Sequence, residues 1–213
     1  MKISFFERGA IAVLFLSVFI FTPRLALGQT ASANAYAVTS SNQLVRFNTA
    51  SPGTTTAIGP ITNLQAGENI VGIDSRPATG ELYALGSTSR LYVINRTTAA
   101  ATLVASLSTP LSGTVFGVDF NPVVDRLRIV SDTGQNLRVN PTNGVAIVDG
   151  TLNGGPAGVD AAAYSNSFSG ATTTTLFDIS AATDTLYTQN PPNAGTLCFG
   201  WSARHRCHKC KWL

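Results

Sequence analysis

Beyond residue 34, apolar residues come in short runs broken by Gly, Pro, Asn, Asp and Thr. Leu127-Arg128-Ile129-Val130 is such a run, and Asp132-Thr133-Gly134 ends it. Leu137 to Val139 follows, and then Pro141 and Asn143-Gly144 turn the chain. Asn-Gly supplies the positive φ angles of tight hairpins. Val, Ile, Thr and Tyr dominate between the breaks, and no stretch sustains a 3.6-residue period. This pattern predicts strands and turns throughout. Ser165 to Thr175, rich in Ser, Gly and Thr, reads as a loop or weak strand.

The pattern repeats. One copy opens Val71-Gly72-Ile73-Asp74 and runs to Leu82-Tyr83; the next opens Phe116-Gly117-Val118-Asp119 and runs to Leu127-Arg128. A third opens Ala157-Gly158-Val159-Asp160 and then diverges. The three Asp residues lie 45 and 41 positions apart. A second piece recurs as Leu44 to Asn48, Leu91 to Asn95, Leu137 to Asn140 and Leu186 to Asn190. Each unit holds about four short strand-like runs, which is the pattern of a propeller blade. The expected fold is all-β, a β-propeller-like array of about four four-stranded repeats in an incomplete ring. A β-sandwich also has short strands and frequent turns, but requires no such internal repeat. Gly in the Gly-x-Asp opening suits an innermost strand, where neighbouring backbones approach closely.

The first residues change the compartment. Lys2 and Arg8 precede an apolar run from Ala10 to Phe21, interrupted only by Ser17. That run is too short for a bilayer span, which takes roughly 18 residues or more. The small residues Ala26 and Gly28 then fit a signal-peptidase site. The expectation is a signal peptide over 1–28 and an exported body, secreted, periplasmic or at the cell surface, with no stable membrane span after cleavage. An uncleaved N-terminal anchor is the alternative.

Charge is segregated. The chain is formally +3, yet between Gln29 and Leu197 there are 7 Arg, no Lys and 10 Asp plus Glu, a net charge of −3. Nucleic-acid binding needs clustered cations, so it is excluded for the body. The same span has no Cys, His or Trp. An exported domain without disulfides relies on its core alone, which favours a bacterial setting.

At Gly72-Ile-Asp74 to Leu82-Tyr83, at Gly117-Val-Asp119-Phe-Asn-Pro122 to Leu127-Arg128, and at Thr185-Leu-Tyr-Thr-Gln-Asn-Pro-Pro192, the chain resembles the DUF4394 family. These are exported bacterial proteins of unknown function with propeller-like repeats. The resemblance spans about Ala35 to Leu197. It implies that fold and export, and it carries over no activity, cofactor or site residue.

After Leu197 the composition changes abruptly. All three Cys, both His and both Trp of the chain fall in 198–213. This segment reads as a basic Cys/His tail unrelated to the 35–197 domain, produced by translation out of frame. A genuine tail would make Cys207 and Cys210, with His205 and His208, zinc candidates, although no second Cys-x-x-Cys or spaced His pair accompanies them and the ligands are crowded into six residues. The body begins at Tyr36 in mid-unit, with no Gly-x-Asp segment before it. The expected consequence is an open ring with unpaired edges, prone to aggregation or proteolysis.

Without His or Cys, the body cannot form Ser-His-Asp or Cys-His systems. Without Lys, it has neither a Schiff-base residue nor a Walker-type phosphate loop. Oxygen chemistry remains. Asp74, Asp119 and Asp160 are the calcium candidates, since calcium takes carboxylate and carbonyl oxygens. The competing reading gives each Asp a turn or an inter-blade hydrogen bond, because each recurs with its unit. Asn95-Arg96-Thr97 matches a glycosylation acceptor, and in a bacterial setting it reads as a chance match. The functional expectation is a non-enzymatic, exported binding module of the cell envelope, recognising a surface ligand or protein and needing no cofactor. The alternatives are a calcium-dependent hydrolase of lactonase-like type and a non-functional truncated fragment.

Overall fold

The structure is a computed structural model, and it describes residues 32–155 and 158–199. The expected signal peptide over 1–28 and the segment from Gly200 onward lie outside the described residues. Every sheet is an antiparallel meander in which consecutive strands are neighbours. The first sheet holds β1 (Asn34–Val38), β2 (Gln43–Asn48) and β3 (Ser51–Pro60). The second holds β4 (Ile70–Ser75), β5 (Leu82–Gly86), β6 (Arg90–Ile94) and β7 (Ala101–Ser106). The third holds β8 (Phe116–Asn121), β9 (Arg126–Ser131), β10 (Asn136–Val139) and β11 (Ala146–Val148). The fourth holds β12 (Ala161–Tyr164), β13 (Leu176–Ser180), β14 (Thr185–Gln189) and β15 (Leu197–Phe199). Residues 165–175 carry no strand.

The expected fold stands: all-β, blade-like sheets side by side in an open array. The first sheet departs from four strands for a reason visible in register. Tyr36 to Leu44 is the same separation as Tyr83 to Leu91, and Val38 pairs with Leu44 as Leu85 pairs with Leu91. β1 is therefore the counterpart of β5, and this sheet has no counterpart of β4 among the described residues. The boundary read after Leu197 falls inside β15, where Leu197, Cys198 and Phe199 pair with Gln189, Thr188 and Tyr187.

Each strand places alternate side chains on opposite faces, so each inner sheet contributes to two seams. Leu44, Leu82, Tyr92 and Ile94 pack between the first and second sheets. Leu85, Leu91, Phe120, Leu127 and Leu137 pack between the second and third. Val130, Tyr187 and Leu197 pack between the third and fourth. A fully buried Leu or Phe stabilises by about 1.5–3 kcal/mol, so these seams hold the sheets to one another. The far face of the fourth sheet meets solvent: Ile179 is 48% exposed and Leu186, paired with it, is 43% exposed.

β4, β8 and β12 lie at one edge of their sheets and stand next to one another. The glycine of the Gly-x-Asp opening explains how they fit. A Cβ on Gly117 would sit 2.5 Å from the backbone nitrogen of Ala162, and one on Gly72 would overlap the side chain of Val118. Only glycine admits the neighbouring strand at that distance.

Candidate functional site

The Gly-x-Asp carboxylates lie along this inner edge. Asp74 on β4 accepts hydrogen bonds from the backbone N–H of Ser75 and of Phe120 on β8, both at 2.7 Å. Asp119 on β8 accepts one from the backbone N–H of Tyr164 on β12, also at 2.7 Å. Each Asp thus ties its own inner strand to the next. The two carboxyl groups also interact electrostatically with each other. Two like charges this close disfavour ionisation of both. Burial raises both above the ordinary Asp value; the Asp74 charge raises Asp119 further, and the N–H groups of Phe120 and Ser75 pull Asp74 back down.

Asp160 does not join them. It precedes β12, and its carboxylate accepts the backbone N–H of Ala181. Tyr164 is to Asp119 what Phe120 is to Asp74, so the inner-strand position equivalent to Asp119 belongs to Ala163. The 41-residue spacing to Asp160 arises because the third Gly-x-Asp lies before its strand instead of within it. Calcium takes six to eight oxygens. The structure brings two of the three candidate carboxylates together, and their oxygens already accept backbone N–H groups. Among the described residues there is no cluster of three or more His, Cys, Asp or Glu able to hold a metal. Cys207 and Cys210, with His205 and His208, lie outside the described residues.

A second polar centre sits in the seam between the third and fourth sheets. Arg128 on β9 is 1% exposed. Its Nε donates to the Tyr164 hydroxyl at 3.2 Å, and its Nη1 to Asn136 and Asp149, both at 2.7 Å. Its Nη2 donates to Asn193 at 2.9 Å. Arg138 also binds Asp149, through Nε at 2.7 Å and Nη2 at 2.8 Å. Burial alone would raise Asp149, but the hydrogen bonds from Arg138 and Arg128 outweigh it and hold its carboxyl below the usual range. On the fourth sheet, Asp178, Ser180 and Gln189 are buried and face this centre.

Sequence reading missed this seam, though it carried a signal. Ser75 pairs with Leu82, Phe120 with Leu127 and Tyr164 with Leu176. Two residues on from those Leu stand Ala84, Ile129 and Asp178, all buried. A carboxylate occupies a position that the two preceding repeats give to apolar side chains.

A surface cleft of about 380 Å³ lies on the first sheet, lined by Arg46, Phe47, Asn48 and Thr56 among others; none of the candidate Asp residues lines it.

Four-stranded meanders placed side by side, with their first strands together and glycine at the contact, define the chain as an open β-propeller-type protein. Residues 43–200 match the family model described as Domain of unknown function (DUF4394), and the chain belongs to that family. No curated protein matches it.

Proposed function

We propose that this chain is an exported, non-enzymatic binding module of the bacterial cell envelope. The observation that carries this reading is the use of the motif carboxylates. Asp74 and Asp119 clamp inner strands together through the N–H groups of Phe120 and Tyr164. Residues that recur with the unit thus build the scaffold, and recognition falls to its surface and turns, where binding residues commonly lie. The absence of His, Cys and Lys from 29–197 points the same way, since it removes the usual nucleophile and base pairs. The leader over 1–28 supplies the route of export.

The test combines binding with turnover. Purified protein should co-sediment saturably with isolated bacterial envelopes, and it should leave lactones and glycosides intact with or without calcium. Turnover that is lost in Asp119→Asn, with the fold unchanged, would overturn the reading and establish a calcium-dependent hydrolase instead.

A further inference from the structure

Asp178 lies in the middle of β13, on the face turned to the third sheet, with 0% exposure. Neither of its carboxylate oxygens has a hydrogen-bond partner, nor does Ser180 Oγ or Gln189 Oε1. Buried polar atoms are seldom left this way. Register places them. Asp178 is paired with Tyr187, so Gln189, two residues further on, is its diagonal neighbour on the same face. Ser180 flanks Asp178 on the other side, along its own strand. The Gln189 amide nitrogen donates to the Pro192 carbonyl, which turns its oxygen to the seam as an acceptor.

The surroundings therefore suit one protonation state. An ionised carboxylate needs donors, and Gln189 offers an acceptor. A neutral carboxylic acid brings its own donor, which suits the unpaired acceptor Gln189 Oε1 on the same face. The charged and titratable groups facing Asp178 do not change this. Arg128 on β9 directs its donors to Tyr164, Asn136, Asp149 and Asn193. Arg138 on β10 is held by Asp149, and Asp160, ahead of β12, by the N–H of Ala181. Tyr164 on β12 is engaged by Arg128, and the hydroxyl of Tyr187 on β14 lies 3.3 Å from Thr183 Oγ1. A metal ion fits the three acceptors poorly. Ser180 pairs with Thr185, four positions and roughly 13 Å along the strand from Gln189, so Ser180 and Gln189 are poorly placed to meet on one ion.

We propose that Asp178 is a proton-dependent latch on the seam between the third and fourth sheets. Protonated, it bonds to Gln189 and the fourth sheet packs closed. Ionised, it is a buried anion without a donor, and the fourth sheet opens toward water. Burial pushes the Asp178 carboxyl up to about 7, against the opposing pull of Arg128, which sets the change near neutral pH. The sign follows from proton linkage. The folded state holds the proton to higher pH than the unfolded chain, so the seam is firmest below the ordinary Asp value of 3.8 and weakens as pH rises to about 7.

Hydrogen exchange of the β12, β13 and β14 amides in the full chain, corrected for intrinsic rates, tests this. In wild type relative to Asp178→Asn, the opening constant of the fourth sheet should rise by up to about tenfold per pH unit across that window and then level off. Asn replaces the acid proton with an N–H aimed at Gln189, so the variant should stay closed. A wild-type to variant ratio that is flat with pH overturns the proposal, as does a variant that opens more than wild type at every pH. Carboxyl carbon NMR of the wild-type protein needs no variant. A midpoint for Asp178 near neutral supports the latch, and one at the ordinary Asp value overturns it.

Discussion

Asp74 and Asp119, 45 residues apart in sequence, interact across two neighbouring inner strands, and burial together with the charge on Asp74 raises Asp119. The arrangement makes stability depend on pH. Because both groups are raised in the folded chain, folding takes up a proton between the ordinary Asp value and the raised one. This contribution is full below the ordinary Asp value of 3.8 and falls as pH climbs through neutral, toward the value of about 8 at which Asp119 loses its proton. Asp119→Asn keeps an oxygen for the Tyr164 N–H and cannot ionise beside Asp74. Urea unfolding at a series of pH values should show a shallower neutral slope for Asp119→Asn than for wild type. Asp119→Ala should cost about 1–3 kcal/mol, because it leaves a buried N–H unpaired. Equal slopes in wild type and Asp119→Asn would mean that Asp119 is not raised in the folded chain.

Gly117 tests the contact between inner strands. Its missing Cβ is replaced by the backbone of β12, which cannot move without moving the fourth sheet. Gly117→Ala should therefore destabilise by about 1–3 kcal/mol. Gly53, on β3, has open space where a Cβ would go, so Gly53→Ala should change stability by no more than about 0.5 kcal/mol. Thermal unfolding of the two variants side by side gives the comparison, and equal effects would remove the steric account of the motif glycine.

The strands were legible because each apolar run has turn residues on both sides, and Gly72-x-Asp74 and Gly117-x-Asp119 lie within β4 and β8. The third copy was misleading. Its Gly158-x-Asp160 looks alike, but the pairing of Tyr164 with Leu176 sets the inner strand three residues later, at Ala163. Register depends on which backbone groups pair, and the local letters do not record that. The Asp74–Asp119 contact was not legible for a related reason: nothing local to either residue shows that their strands are neighbours. Asp178 could have been found by aligning the units on Leu82, Leu127 and Leu176 instead of on the glycines.

Arg76, in the turn after β4, reaches across to Asp125 in the turn after β8, with its Nε 2.8 Å from Oδ1. The hydrogen bond from Arg76 outweighs burial and holds the Asp125 carboxyl below the usual range. This contribution is present above the ordinary Asp value and is lost as pH falls through the lowered one. With side chains 13% and 35% exposed, the pair is partly screened by solvent. A double-mutant cycle with Arg76→Ala and Asp125→Ala should give a coupling near the upper end of exposed pairs, about 1 kcal/mol, and smaller in high salt. A coupling unchanged in 1 M salt would argue for a packing effect instead.

Arg128 and Arg138 both bind Asp149, yet their loss should differ. Arg128 is buried and satisfies Tyr164, Asn136 and Asn193 as well as Asp149, whereas the side chain of Arg138 is 29% exposed and serves Asp149 alone. Arg128→Ala should cost about 3–5 kcal/mol, since it breaks a buried ion pair and strips three further acceptors of their donor. Arg128→Lys should not restore it. A Lys ammonium has three donors on a flexible stem and cannot reproduce the planar fork that meets four partners, so a loss of about 1–3 kcal/mol should persist. Arg138→Ala should cost no more than about 1 kcal/mol, because Arg128 still neutralises Asp149 and solvent screens the lost charge. Denaturant unfolding of the three variants at neutral pH ranks them directly. If Arg138→Ala proves as costly as Arg128→Ala, the seam is held by the charge on Asp149. If the expected order holds, the many-partnered guanidinium of Arg128 is what joins the third sheet to the fourth.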